Sequence, residues 1–355
     1  MKKTRLALAV PALLVAGSAN AAINIYNANG VVVDLGAAAE VQYIKVFDDD
    51  RDPTLRIDDG DLFVNTSVEI MPGIRAIATV GFEYESDGQA SADVTSDELF
   101  VGFSSDFGTT TFGRQYTIAD SAGNTKDYEL ATAGVTFGDT QSNRVIKYMF
   151  DNGGPFYAGF STILDNDSLS NVSQGSAYDG VIGLRGYGLD TRVFIYSGMD
   201  MSSRFASQVA LNAVTGGQHL QDIHGFNFEV DYTINVFDFS ASYGIMDFEA
   251  NVNRLADGTF QKPVLGENEV TAWQVAAGYQ ADERTYFALG YANLESDPQG
   301  NYEKVEAYNL YTNVTYALHN NAKIYAEIGI ANQKINNIET NQNDVGYVLG
   351  MEVSF

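Results

Sequence analysis

An all-β, transmembrane barrel of sixteen antiparallel strands is the fold class this sequence predicts, and three observations predict it. Apolar side chains recur at a period of two along segments of about 9–11 residues, the length of a tilted membrane-crossing strand. Short turns alternate with long polar connections, as a barrel built from hairpins with periplasmic turns and extracellular loops requires. No stretch after residue 21 approaches the roughly 20 apolar residues of a membrane helix. In a bilayer such a chain has to close as a sheet, which pairs every backbone group internally.

The first 21 residues read as a secretory signal peptide. Lys2, Lys3 and Arg5 precede an apolar run over 6–17, and Ala19-Asn20-Ala21 supplies the cleavage site. Cleavage there leaves one domain, 22–355, and removes three positive charges, taking the net charge from −26 to −29. That sign excludes nucleic acid as a partner, because phosphate binding needs basic surface. The absence of Cys excludes disulfides and thiolate chemistry. Abundant Gly, Phe and Tyr suit a strand-rich chain with aromatic girdles, although composition alone also allows a secreted β-sandwich.

The chain then justifies its strands in order. A short strand over 23–26 meets a turn at Asn29-Gly30. Val33, Leu35, Ala37, Ala39, Val41 and Tyr43 share the next apolar face, with Asp34, Gly36, Ala38, Glu40 and Gln42 behind them. The run Asp48 to Gly60 reads as an acidic loop. Leu62, Val64, Val68 and Ile70 oppose Asp61, Asn65, Ser67 and Glu69, and Pro72-Gly73 makes a tight turn. Ile74 to Tyr84 alternates again, with Arg75 and Glu83 on the polar face. Further strands are expected near 96–104, 109–116, 143–151, 155–165, 178–187, 190–199, 223–233, 237–248, 268–280, 284–295, 304–317, 322–332 and 344–355. The closing strand is among the clearest: Tyr347, Leu349, Met351, Val353 and Phe355 alternate with small or charged residues. On this reading Arg at Leu310 or Ile328 is destabilising, whereas Arg at Asn309 or Glu327 is tolerated.

Enzymatic and metal chemistry find little support. His219 and His224 fall in or beside a long loop and His319 in a short turn, with no compact Ser/His/Asn constellation. The acidic run 48–61 departs from a calcium loop, since Pro53 stands where Gly is required and no Glu closes it. Gly183, Gly186 and Gly188 suit close packing in a strand. No enzyme activity, cofactor or metal site is expected.

Several stretches, in order, carry a resemblance: Ala22-Ile23-Asn24-Ile25-Tyr26-Asn27 before Asn29-Gly30, Phe112-Gly113-Arg114-Gln115-Tyr116 before the third long loop, Asn143-Arg144-Val145 after it, and the closing YVLGMEVSF. Together they resemble the general diffusion porins of Gram-negative bacteria. The resemblance implies a homotrimer in the cell outer membrane, bounded by lipid and lipopolysaccharide, and a third loop folded into the lumen. In this chain that loop is roughly 117–142, with Asp120, Asp127, Glu129 and Asp139 at the constriction. Its terminal Phe resembles the signature by which such barrels are recognised for insertion. The family's inter-subunit latch implies Asp87 or Asp93 as acids and Arg114 as a partner. The family's Pro-Glu-Phe-Gly-Gly loop tip is missing, and its basic wall is depleted: Gly36 to Ala39, Asp61 and Asp97-Glu98 stand where basic residues are common.

The expected function is a water-filled channel for passive diffusion of small hydrophilic solutes and ions. Alternation sets Asp34, Glu40, Asp61, Glu69, Glu83, Glu98, Glu229, Asp231, Asp238, Glu306 and Glu327 inward. Against them stand Arg75, Arg185, Arg284, Lys323 and one of Arg144 or Lys147, which differ by an odd number and cannot share a face. Carboxylates in a low-dielectric wall favour cations. Two alternatives remain: an oligosaccharide-selective channel using Phe63, Phe100, Phe194, Tyr196, Tyr286, Tyr311 and Tyr325 as a stacking track, and a structural or adhesive barrel without an open pore.

Overall fold

The computed structural model describes residues 22–47, 51–86, 94–123, 126, 128–131, 137, 140–164, 175–202, 218–254, 260–261, 265–300 and 304–355. The period-two segments form antiparallel strands: β1 (Ile23–Ala28), β2 (Val31–Lys45), β3 (Thr54–Met71), β4 (Ile74–Glu83), β5 (Thr95–Ser105) and β6 (Gly108–Tyr116) precede the third loop. After it come β7 (Gln141–Asp151), β8 (Phe156–Ile163), β9 (Ser176–Gly186), β10 (Leu189–Ser202), β11 (Gln218–Ile234) and β12 (Phe237–Arg254). The remainder are β13 (Phe260–Gln261), β14 (Leu265–Gln280), β15 (Thr285–Gly300), β16 (Val305–His319), β17 (Ala322–Ile335) and β18 (Ile338–Ser354). Each pairs with the next along the chain, β12 with β14, and β18 with β2, so sixteen strands close into a barrel among the described residues.

The closure is a splice. Ala38 to Lys45 of β2 pair with β18, whereas Val31 to Leu35 pair with β1. Phe355 exchanges both backbone bonds with Ala37 (2.7 and 2.9 Å), and Ile23 follows opposite Leu35. β1 therefore continues the line of β18 along the same neighbour.

Alternation sorts the faces as the sequence predicts. Leu349, Met351 and Val353 are exposed on the outside of β18, and Val348 and Glu352 are buried inside. The inner tyrosines lie against glycines of neighbouring strands, the device that lets a ring lie flat on a sheet. A Cβ at Gly290 would overlap the Tyr311 ring, and one at Gly350 would overlap that of Tyr325. Phe194, Tyr196, Tyr286, Tyr311 and Tyr325 are all buried, so these five expose no ring face to a passing sugar.

Three boundaries differ from expectation. β3 begins at Thr54, so residues 54–60, read as loop, are strand. β17 and β18 run on to a two-residue turn, Asn336-Asn337, in place of a long loop. Both Asn have positive φ (52° and 63°), the conformation that closes a tight hairpin. Above the bilayer both faces of a strand meet water, so the apolar alternation that marks its limits disappears. Arg284, expected on the wall, lies exposed in the turn before β15, where Asp282 caps the N–H groups of Arg284 and Thr285 at 2.8 and 2.9 Å.

Candidate functional site

The third loop is laid along the inside of the barrel by contacts with successive strands. A short 3-10 turn, Ile118–Ser121, starts it against β8 and β9. There the Ile118 N–H donates to Ser161 Oγ (2.9 Å) and to the Asp179 carboxylate (3.2 Å). The Gly123 N–H donates to Glu229 of β11 at 2.5 Å. Lys126 pairs with Asp238 of β12, and its Nζ donates to the Tyr286 hydroxyl of β15 at 3.3 Å. The Glu129 and Leu130 N–H groups donate to Glu327 of β17 (3.3 and 3.1 Å), and Asn309 of β16 donates to the Leu130 carbonyl. The tip then reaches β3, where Arg56 Nη2 donates to Glu129 Oε2 at 2.8 Å.

Apolar packing fixes the same path. Ile118, Ala119, Ala122 and Phe137 join Val181, Phe194, Met246 and neighbours in one buried cluster inside the barrel. Phe137 stacks on Tyr196 with ring centres 5.3 Å apart. Leu130 joins Ile44, Tyr311, Tyr325 and Val348 in a second cluster. Burial of these side chains stabilises the loop against the wall by roughly 1.5–3 kcal/mol for each large apolar group.

The inward acids consequently divide into two sets. Glu229 and Glu327 are almost fully buried and hold backbone N–H groups of the loop, Asp238 holds Lys126, and Glu40 accepts from Tyr325 and from Gln42 (3.1 Å). Arg192 of β10 further compensates Glu229 and Asp231, at 2.5 and 2.7 Å. Glu40, Glu229, Asp238 and Glu327 are buried and organise protein, whereas Asp231 keeps 30% of its side chain exposed. The loop touches β3 at Arg56 and β7 at Val145, and between them the inward carboxylates of β3 to β5 are only half-buried. A bulge opposite Glu40 sets Asp58 beside Asp59, and another opposite Gly81 brings Asp97 in beside Glu98. Asp61 and Glu83 share that face, with Glu69 and Arg75 further toward the turns. Lys147 of β7 faces inward and donates to the Tyr116 carbonyl at 2.7 Å.

The alternative between Arg144 and Lys147 thus resolves. Lys147 shares the face of buried Val145, while Arg144, opposite Leu164, falls on the other. Arg185 faces inward and binds Asp151 through both Nη atoms (2.9 Å for Nη1), and Lys323 pairs with Glu352. Glu306 is a correction: it lies on the outer face of β16 near its loop end, opposite Glu295, and pairs with Lys304. An outward carboxylate is tolerated there because the strand has already left the bilayer. Asp120 is exposed and accepts from Thr140 at 2.7 Å. Asp127 and Asp139 lie outside the described residues, as do Asp87 and Asp93. Arg114 points outward, donating to the Ser96 carbonyl (2.7 Å), Gln141 (2.8 Å) and Asn143 (3.2 Å).

Sequence reasoning missed Arg56 and Arg192, read Asp58 and Asp59 as part of an acidic loop, and set Asp97 beside Glu98 on the wall without counting it among the inward acids. Leu55-x-Ile57 was an available alternation signal for Arg56 and Asp58, whereas a bulge leaves none. It also missed the contact of Ser197 Oγ with His224 Nδ1 (3.1 Å) on the outer face, since 27 residues separate them.

Around the tip, Glu40, Asp58 and Glu129 each bring a carboxylate oxygen within 4.8 Å of the others. Arg56 supplies the nearby positive charge, meeting Asp58 at 2.7 Å. Burial, and then the neighbouring Asp58 charge, push the Glu129 carboxyl up to about 8. Arg56 and a hydrogen bond from Gln42 act in the opposite direction.

Comparison with known proteins agrees with this geometry. A family model described as Gram-negative porin matches residues 7–336. Porin-like protein H of Photobacterium profundum is 43% identical over 357 residues, covering 100% of both chains. In vitro folded OmpT of Vibrio cholerae, an outer membrane protein in its trimer form, superposes with a TM-score of 0.75 at 16% identity, over 92% of this chain and 100% of that one. The anion-selective porin of Comamonas acidovorans superposes with a TM-score of 0.68 at 14% identity, over 92% and 100%. At these identities the two structures speak for the fold.

Proposed function

This chain belongs to the Gram-negative porin family, and from that premise we propose that it is a cation-selective, water-filled diffusion channel. An outer-membrane β-barrel of this family passes small hydrophilic solutes without chemistry, and the sign of its wall charge biases which ions enter. The observation that carries the reading is the set of half-buried carboxylates on the wall from β3 to β7. Asp58, Asp59, Asp61, Glu83, Asp97 and Glu98 stand there against Arg56, Arg75 and Lys147. At physiological salt the Debye length is about 8 Å, so such charges act across a narrow passage. With the deeply buried acids set aside, the remaining surface is still net negative.

The constriction on this reading runs between that wall and the loop residues Asp120, Asp127, Glu129 and Asp139. Glu40, Arg185 and Lys323 contribute structure more than field, because each is tied to a partner. We further propose a cleaved signal peptide over 1–21 and assembly as a homotrimer. The trimer is supported by the outward-facing Arg114 and by a groove of about 300 Å³ on the outer face, floored by Ala76 and Ala78 between Val101 and Phe112. Unheated gel mobility and mass in mild detergent test assembly, and a monomer would remove it. Reversal potential across a planar bilayer under a potassium chloride gradient tests selectivity. The expected sign is that of a potassium preference, and a chloride preference would overturn the reading.

A further inference from the structure

The loop tip is tied to the wall on two sides by different chemistry. On β16 and β17, Asn309 and Glu327 hold its backbone. Among the described residues, the tie on β3 is the Arg56 side chain, which makes three contacts. Its Nε donates to Gln42 Oε1 of β2 at 2.7 Å, and its Nη2 meets Asp58 Oδ1 at 2.7 Å and Glu129 Oε2 at 2.8 Å. Gln42, fully buried, is fixed in turn by bonds to Glu40 (3.1 Å), Asp58 (2.6 Å) and the Tyr325 hydroxyl (2.7 Å). The guanidinium is thus aimed before the loop arrives. A planar fork with five donors suits this task, whereas a lysine ammonium would satisfy the three acceptors poorly.

We propose that Arg56 is a positioning residue for permeation: it latches the tip of the third loop to the β2–β3 wall and so sets the width of the conducting path. The latch holds a neutral or an ionised Glu129, since either form offers Oε2 as an acceptor, although burial makes the ionised form the costlier one to hold. It rests on the reading of this protein as a channel, but not on which ion the channel prefers.

Single-channel recording of the full chain in a planar bilayer tests the latch through a sign argument. With recordings made at pH 9, where Glu129 is mostly charged, Arg56→Met makes the passage more negative and Glu129→Leu, which offers no acceptor, makes it less so. If these groups acted only through local charge, potassium conductance would rise in the first and fall in the second. If they act as a latch, both release the tip, and conductance and open-channel noise rise in both. The double variant should show no further rise, because residues in one contact are not additive. Opposite changes in the two single variants, or no change in either, would overturn the latch.

A second measurement separates positioning from a folding defect. The chain has no Cys, so Arg56→Cys with Glu129→Cys offers a unique thiol pair. Joining them with a short reducible bifunctional thiosulfonate should return noise and conductance to wild-type values, and reductant should reverse the effect. A cross-link that leaves both unchanged counts against the latch. Reversal potential, read in the same wild-type recordings, fails or holds separately: chloride preference would sink the selectivity reading and leave the latch standing.

Discussion

The backbone N–H of Leu130 points at Glu327 Oε2 from 3.1 Å, in a site where both residues are almost fully buried. Glu327 accepts three donors there, including the Glu129 N–H and Asn313 Nδ2 (3.0 Å). Its role is therefore to seat the loop. Glu327→Ala would strand two backbone donors, each costing about 1–3 kcal/mol if left unpaired. The expected outcome is faster cleavage within the third loop by added protease, with barrel heat stability largely retained. A loop as resistant as wild type would count against the seating role.

Selectivity should separate the two sets of acids. Asp61→Asn with Glu98→Gln removes charge from the half-buried carboxylates of the β3–β5 wall and should shift the reversal potential toward zero. Glu229→Gln removes a formal charge that is sealed under the loop and paired with Arg192, and should shift it little. Equal shifts would show that burial and pairing do not govern which carboxylates the permeating ion senses.

The raised Glu129 carboxyl sets the sign of the pH dependence expected of the channel. Its carboxyl is raised from the ordinary 4.5 to about 8, with burial the largest cause. It is mostly neutral at pH 6 and mostly charged at pH 9, so potassium preference should grow across that interval. Glu129→Gln should flatten the growth. Loop attachment runs the other way: a raised pKa contributes stability fully present below about 4.5 and lost as pH rises through about 8. Protease resistance of the loop should accordingly decline between pH 6 and pH 9.

The lipid face is tested by Leu310→Arg and Ile328→Arg, each expected to cost about 2–4 kcal/mol near the bilayer midplane. Asn309 and Glu327, the inward neighbours that alternation offers as tolerant controls, are unsuitable because the loop covers both. Glu69, exposed on the inward face of β3 opposite Arg75, is the better site, and Glu69→Arg should cost less in urea unfolding in detergent than either lipid-face change, the like-charge pair with Arg75 being worth only about 0.2–1 kcal/mol.

The barrel was legible because lipid on one side and a polar interior on the other impose a two-residue period that composition cannot hide. Trp273 against Gln274, or Ile328 against Glu327, states the face of a whole strand. Lumen chemistry was less legible for a physical reason. Alternation says that Glu229 and Glu98 both point inward, but not that one meets Gly123 of a folded-in loop while the other stays open. Bulges hid Asp59 and Asp97, since one extra residue suspends the alternation. Glu306 is a different case: counting by twos from lipid-facing Leu310 already sets it outward, so the inward expectation departs from the alternation itself.

Gly290 offers a test of the inner aromatic packing. A methyl there would collide with Tyr311, whose ring is buried against it. Gly290→Ala should destabilise the folded barrel by about 1–3 kcal/mol, the usual range for overpacking. Adding Tyr311→Ala should relieve the clash, so that the double variant loses less than the sum of the two. Strict additivity in urea unfolding would show that the ring moves aside without cost.

The splice at Ala37 makes closure a matter of topology. The other neighbouring barrel strands follow one another along the chain, with only the two-residue β13 between one such pair. β18 against β2 instead brings together Glu352 and Glu40, residues separated by almost the whole sequence. Pairing strands only with their chain neighbours gives an open ribbon, and the β18–β2 contact is the one event that turns it into a ring. Until that event the ribbon presents two unpaired edges to hydrocarbon, where each unsatisfied backbone group costs several kcal/mol. A chain cut before β18 is then not a narrower tube but a sheet with no stable place in a bilayer. The aperture exists whole or not at all.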